Sequence, residues 1–128
     1  MKQGTFLNPQ HKNEQETYVL RLFKRVRGNT AYEYSKEPIL SFKARPANRL
    51  ETKLFRITKG VNGSNNSITI YCSNLPNEVE IDDKIEFMGK IMLVKNIGFF
   101  YNDNNVENAG IFSNEYLAMR SPKGITLG

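Results

Sequence analysis

The chain has 128 residues, a length that suits one domain, and its 39% hydrophobic and 24% charged residues exclude a wholly disordered protein. The formal net charge of +5 is uneven, because residues 1–60 hold 13 Lys/Arg against five Asp/Glu and residues 61–128 hold five against eight. This asymmetry predicts a charged partner for the first half or self-association of opposite faces, and the alternative is a basic face that only meets water.

The two ends of the chain frame one predicted domain. Residues 1–16 are polar and unpatterned, so we interpret them as a flexible N-terminal arm. Residues 17–121 carry the strand patterns and are predicted to form a single β-domain. Residues 122–128 are interpreted as a C-terminal tail.

The first predicted strand covers residues 18–26, which are rich in aromatic and branched side chains. Leu20, Leu22 and Val26 share one parity and are predicted to face the core.

The opposite parity of this strand combines positive charge with an aromatic ring: Arg21, Phe23, Arg25 and Arg27. Such a face suits single-stranded nucleic acid, with a base stacked on Phe23 and phosphates on the arginines. The alternatives are that it packs on a neighbouring protomer or meets water.

Shorter elements follow. A second strand is predicted over residues 39–45, bounded by two prolines. Residues 47–55 have Leu50 and Leu54 four apart, which suits a short helix or equally an extended loop.

The clearest long hairpin joins "LFRIT" to "SITIYCS" through "KGVNGSNN", residues 59–66. We expect residues 59–66, together with 46–53, to be flexible in the free protein and to become ordered on a neighbouring subunit. The candidate interface residues of this loop are Lys59, Val61, Asn62 and Asn65.

Residues 82–98, "DDKIEFMGKIMLVKNIG", predict a tight hairpin that turns at Met88-Gly89. Ile85 and Phe87 alternate with polar residues and should face the core. Residues 91–94 are apolar throughout, which predicts a strand covered on both faces. "EYLAMR", residues 115–120, is predicted as a last short strand. The turn signals at 8–15-residue spacing predict an all-β fold, a small antiparallel barrel or sandwich with long loops and little helix.

Little in the sequence suggests chemistry. His11 lies in the predicted arm, where no packing would hold it in a catalytic site. Cys72 falls on the apolar face of a strand and is predicted to be buried and structural. The acidic loop lacks the spacing of an EF-hand, so we interpret it as solvated rather than cation-binding. Its members are Glu78, Glu80, Asp82 and Asp83. We therefore predict no enzyme, no cofactor and no metal site.

The sequence shows neither a membrane-spanning segment nor a secretory signal peptide. No apolar run approaches the roughly 20 residues needed to span a bilayer, and the residues before 16 lack the apolar core of a signal peptide. A single cysteine makes no intrachain disulfide.

The order of these parts resembles the head-tail joining proteins of tailed phages, also called head-closure or stopper proteins. The resemblance covers residues 18–120 and rests on "LRLFKRVRGNTAYEYS", "FKARP", "LFRIT", "SITIYCS", the predicted final strand "EYLAMR" and above all "IDDKIEFMGKIMLVKNIG". The long loops "GVNGSNN" and "YNDNNVEN" and the tail "SPKGITLG" depart from the family pattern.

The resemblance implies a structural protein of the virion neck, assembled in the host cytoplasm. Its copies would form a ring, a hexamer or dodecamer, between the portal or adaptor protein and a tail-terminator or other tail protein, with DNA passing through the channel and no membrane contact. The apolar second arm of the hairpin would then face its own core on one side and a neighbour on the other. The alternatives are a nucleic-acid-binding barrel of oligonucleotide-binding type and a tail or baseplate structural protein.

Overall fold

The computed structural model describes residues 15–27, 32–60, 66–101 and 113–128. Strands make up 53% of this part and helix 12%, which confirms the predicted small all-β barrel with little helix. The strands are β1 (Tyr18–Phe23), β2 (Arg25–Arg27), β3 (Tyr32–Tyr34), β4 (Leu40–Pro46), β5 (Phe55–Gly60), β6 (Ile68–Cys72), β7 (Lys84–Phe87), β8 (Lys90–Phe100) and β9 (Lys123–Leu127). The helices are α1 (Arg49–Lys53) and α2 (Asn114–Arg120).

Six strands close the barrel in the order β1, β4, β6, β9, β8, β7 and back to β1, and all these pairs are antiparallel. The 11-residue strand β8 is long enough to pair with β7 and then with β5 along one edge, while β9 runs along its other edge. The outer edge of β5 pairs with no strand in the part of the chain that is described. β2 and β3 form a separate two-stranded sheet.

Alternation along the barrel strands fills the core. Leu20, Leu22, Cys72 and Ile85 are fully buried, as predicted, because each occupies the inward parity of its strand. Burial of one such aliphatic side chain contributes about 1.5–3 kcal/mol, so the barrel interior dominates the stability of the fold. A smaller apolar cluster of Phe99, Tyr101 and Leu117 lies where α2 packs on β8.

The β7–β8 hairpin turns at Met88-Gly89, as predicted. Both residues have positive φ, 53° and 79°, which matches the two-residue turns that fit the twist of a hairpin. Val94 is fully buried, but Ile91 is 53% exposed. The chain itself therefore covers only the inward face of this arm, and the cover of its outward face by a neighbour stays a prediction.

Val26 corrects the predicted inner face of the first strand, because it is 47% exposed. β1 ends at Phe23, and Lys24 separates it from β2, which pairs with β3 outside the barrel. The inward parity of β1 thus does not extend to Val26.

The predicted strand at "EYLAMR" is wrong, since these residues belong to α2. The Ser113 side chain caps this helix by accepting a hydrogen bond from the backbone N–H of Tyr116. The side chain of Leu117 packs into the smaller apolar cluster with Phe99 and Tyr101, while Met119 is 80% exposed. The residue types favour helix once a cap is present.

The predicted C-terminal tail over residues 122–128 is also wrong. β9 lies between β6 and β8 and closes the barrel, with Ile125 and Leu127 fully buried. Gly124 is required in β9 because a Cβ there would lie within 3 Å of the Ile70 carbonyl oxygen and overlap the Phe100 ring.

Gly98 is a second glycine that the packing requires, because a Cβ there would overlap the carbonyl oxygen of Arg56 in β5. We expect Gly98→Ala to lower the free energy of unfolding by about 1–3 kcal/mol, the usual cost of overpacking. Gly89→Asn is the control: the space around Gly89 is open, and asparagine accepts a left-handed backbone. Urea unfolding followed by circular dichroism compares the two, and equal midpoints would contradict the close approach of β5 to β8.

Candidate interaction surfaces

The structure divides the predicted basic and aromatic face. Arg21 lies on the outer side of β1 and Phe23 ends that strand, whereas Arg25 belongs to β2. The side chain of Arg27 lies outside the described residues. The prediction of one continuous strand face is wrong, because the chain leaves the barrel sheet at Lys24.

Carboxylates accompany both described arginines of this face. Arg21 Nη1 lies 3.7 Å from Glu86 Oε1, and Arg25 Nη1 lies 3.5 Å from Asp82 Oδ2. Partly exposed pairs of this kind contribute at most about 1 kcal/mol each. Their main effect is on the surface, which presents paired charges of both signs.

The loop candidates are placed only in part. Lys59 lies in β5, is exposed and lines a small cavity. Val61, Asn62 and Asn65 lie outside the described residues, so their predicted interface role stays a prediction.

A buried carboxylate anchors the acidic loop to the junction of β1 and β2. Asp83 is 1% exposed, and its carboxylate accepts hydrogen bonds from Lys24 Nζ at 2.8 Å, from the Arg25 backbone N–H at 3.1 Å and from the Glu80 backbone N–H at 2.9 Å. Lys24 Nζ also donates to the Glu78 carbonyl at 2.7 Å and to Glu80 Oε1 at 3.1 Å.

These contacts correct the view of a wholly solvated acidic loop, because Asp83 is a structural member of the fold. Burial alone would lower the pKa of Lys24, but the hydrogen bonds and charges of Asp83 and Glu80 outweigh it and raise that pKa above its usual value. The Lys24 ammonium thus occupies the position where the acidic loop could have held a cation.

A second buried ion pair fixes α1. Arg45 in β4 donates two hydrogen bonds to Glu51, from Nη1 to Oε1 at 2.9 Å and from Nη2 to Oε2 at 2.7 Å. Glu51 also accepts from the backbone N–H of Asn48, and the Asn48 side chain caps the helix in return. The helical alternative for residues 47–55 is therefore confirmed over Arg49–Lys53, and Phe55 already belongs to β5. The predicted flexibility of residues 46–53 in the free protein stays a prediction.

Three exposed apolar side chains border the Arg21–Glu86 pair on the outside of the barrel at the β7–β8 hairpin, and together they form a surface of mixed character. We call it the hairpin surface and define it by Val19, Met88 and Ile91, which are 50%, 68% and 53% exposed. Arg21, Glu86 and Ile91 lie side by side on β1, β7 and β8. Val19 lies two residues before Arg21 on β1, and Met88 lies two residues after Glu86, in the turn that follows β7. The barrel exposes these side chains because their strands turn the opposite parity to the core.

A groove lies between β5 and α2, and we call it the β5–α2 groove. Its lining includes Ile57, Glu115, Ala118 and Met119, and its volume is about 580 Å³. A cavity of about 190 Å³ beside it shares Ala118 and is lined by Lys59. Ile57 is 37% and Met119 80% exposed, so the groove is open, and its lining is mainly apolar with Thr58 and Glu115 as the polar members.

The sequence did not predict this groove, because α2 was interpreted as a strand. The available signal was Ser113, a good N-cap residue immediately before a run of helix formers.

Cys72 is buried, as predicted, and burial of the thiol raises the pKa of Cys72 from 9.0 to about 12. Because the unfolded thiol ionises first, the unfolded state is favoured as pH rises, and we expect the free energy of unfolding to fall between pH 9 and 12. Cys72→Ala should flatten this fall. The difference should be clearest below pH 10.5, because above that pH both proteins also lose the stability that the charged Lys24 contributes. Denaturant titrations at several pH values between 8 and 10.5 give the free energy of unfolding of both proteins. An equal change of this free energy with pH in the two would contradict the expectation.

No group of three or more His, Cys, Asp or Glu side chains suited to a metal ion is found among the residues described. Within the same ranges, neither helix is long and apolar enough to cross a membrane. His11 lies outside them.

The fold and surfaces thus define a class of architecture: a closed six-stranded antiparallel barrel with exposed apolar residues at one hairpin and a mainly apolar groove. Comparison of the chain with models of known protein families, with curated proteins and with solved structures finds no match.

Proposed function

We propose that the protein is a structural subunit of the connector between the capsid and the tail of a tailed phage, where its copies form a ring. The observation that carries the proposal is the hairpin surface. Val19, Met88 and Ile91 are half or more exposed on the outside of a barrel whose interior is already closed. Exposed apolar side chains on neighbouring strands, bordering a charged pair, suit a surface that binds another protein through apolar contacts and polar ones.

The resemblance in sequence supports the same function. The segment "IDDKIEFMGKIMLVKNIG", on which it mainly rests, folds as the β7–β8 hairpin of the barrel wall. Its inner parity fills the core and its outer parity carries Ile91 and Met88. This arrangement suits a subunit whose wall is shared with a neighbour.

The charge pattern is less favourable to the nucleic-acid-binding alternative. A track for single-stranded nucleic acid needs cations that are available to phosphates. Arg21 and Arg25 instead lie within 3.7 Å and 3.5 Å of carboxylate oxygens. We therefore expect that single-stranded oligonucleotides do not bind in the steeply salt-dependent way of a phosphate-binding track. Fluorescence anisotropy titrations at several salt concentrations would measure this.

Disruption of the gene in the phage or prophage that carries it tests the function. We expect DNA-filled or partly emptied capsids without attached tails, and recovery of infectious particles when the intact gene is supplied in trans. Infectious tailed particles from the disrupted gene would contradict the proposal. Joined but defective tails would move the protein to the tail or baseplate.

A further inference from the structure

The turn of the β7–β8 hairpin projects from the barrel. Apart from Gly89 and its two neighbours in the chain, no heavy atom lies within 4 Å of the position that a Cβ on Gly89 would take, and Met88 is 68% exposed. Positive φ at both residues fixes the direction of the turn. The hairpin therefore presents a methionine at its tip, a flexible side chain that fills irregular apolar gaps well.

The β5–α2 groove has the opposite shape. Ile57, Ala118 and Met119 give it an apolar lining to which Thr58 and Glu115 add polar atoms. Its volume of about 580 Å³ falls in the range that takes a small ligand or several side chains. Strand β5, which forms one wall, has its outer edge unpaired within the described part of the chain.

Charges flank the two surfaces in a complementary order. Lys90 follows the hairpin tip and Glu86 precedes it, whereas Glu115 lines the groove and Lys59 lines the cavity beside it. Lys90 thus has a negative counterpart in Glu115, whereas Glu86 already lies 3.7 Å from Arg21 of its own chain. Complementary charges of this kind fix the register of a contact and disfavour wrong partners.

We propose that the occupant of the β5–α2 groove is the hairpin tip of a second copy of this chain, with Met88 in the groove and Lys90 beside Glu115. The tip and the groove are different surfaces, so the contact is heterologous. Each copy then keeps one free tip or one free groove, and repetition gives a closed ring or an open filament. The contact deepens the proposed function and rests on it only for closure into a ring.

Mixing two complementary variants tests the contact directly. Met88→Asp disables the tip and leaves the groove intact, whereas Met119→Asp disables the groove and leaves the tip intact. Both side chains are largely exposed, at 68% and 80%, so neither change should unfold the barrel. Leu50→Asp, at a site on α1 that is 40% exposed, is the matched control.

Sedimentation velocity should show concentration-dependent association of the wild-type protein and of Leu50→Asp. Each of the two methionine variants alone should associate at least tenfold more weakly, since a loss of 1.4 kcal/mol is a factor of ten. Their equimolar mixture should form one-to-one dimers and nothing larger, because only one intact tip and one intact groove can meet. A folded mixture that stays monomeric would overturn the proposal, and so would a wild-type protein that is monomeric at about 1 mM, the limit of weak binding.

A charge exchange gives a second test. Lys90→Glu and Glu115→Lys should each weaken association, and the double variant should recover most of it because the pair is restored with reversed signs. A double variant as weak as the two losses combined would place Lys90 and Glu115 apart in the contact. These measurements use purified protein, so their failure is separate from the outcome of the gene disruption.

Discussion

Replacing Glu51 by alanine should lower the free energy of unfolding by about 3–5 kcal/mol, the usual cost of leaving one partner of a buried ion pair. Arg45 is 5% exposed and Glu51 fully buried, so the guanidinium would lose its partner without gaining water. The same change removes the acceptor for the Asn48 backbone N–H and with it the capping box of α1. Since small domains are stable by about 5–15 kcal/mol, this single change removes a large fraction.

The double variant Arg45→Met with Glu51→Leu is the companion measurement. Apolar replacement of both partners is often neutral or stabilising, so we expect it to recover much of the loss. Recovery will be incomplete, because Arg45 also stacks on the Tyr71 ring, 4.1 Å from its centroid. Thermal and urea unfolding compare the variants. If Glu51→Ala is as stable as the wild-type protein, the buried ion pair between Arg45 and Glu51 does not hold α1 in the way described.

Replacing Asp83 by asparagine should cost about 3 kcal/mol or more, because the buried carboxylate neutralises Lys24 and accepts two backbone N–H groups. The amide keeps the shape of the side chain, but its NH₂ group cannot accept hydrogen bonds and it carries no charge for the ammonium. Loss of these contacts should release the acidic loop from the start of β2.

Asp82→Asn is the matched control, one residue away and with the same chemistry. Its carboxylate is about half exposed and lies 3.5 Å from Arg25, so the change should cost less than about 1 kcal/mol. Asparagine also accepts the positive φ of 72° at this position. Urea unfolding at neutral pH measures both variants. If both variants lose a similar free energy of unfolding, the hydrogen bonds of the buried Asp83 carboxylate do not stabilise the fold more than the exposed Asp82 pair does.

The sequence predicted the strands whose side chains alternate clearly. β1, β6 and the β7–β8 hairpin were found because one parity is apolar and the ends carry turn signals. β9 was missed because Gly124 interrupts its apolar pattern, although the packing against Phe100 requires that glycine. α2 was missed because a short helix is decided by its cap and its contact with the sheet more than by periodicity.

The candidate surfaces divide in the same way. The outward parity of residues 91–94 was visible in the sequence, and it predicted an apolar face that needs a cover. The groove was not visible in the sequence, because its walls β5 and α2 are more than 50 residues apart in the chain. The Lys24–Asp83 pair joins residues 59 positions apart, and no local pattern relates them. Such contacts arise only when the fold brings together residues that are far apart in the chain.

The central claim is that this barrel forms a ring in the neck of a tailed phage. Electron cryomicroscopy of the capsid–tail junction of particles produced from the gene tests it most directly. The proposal predicts a ring of copies of the six-stranded barrel between the portal or adaptor and the tail. A neck whose density is fully explained by other chains, in particles that contain none of this protein by mass spectrometry, would contradict it.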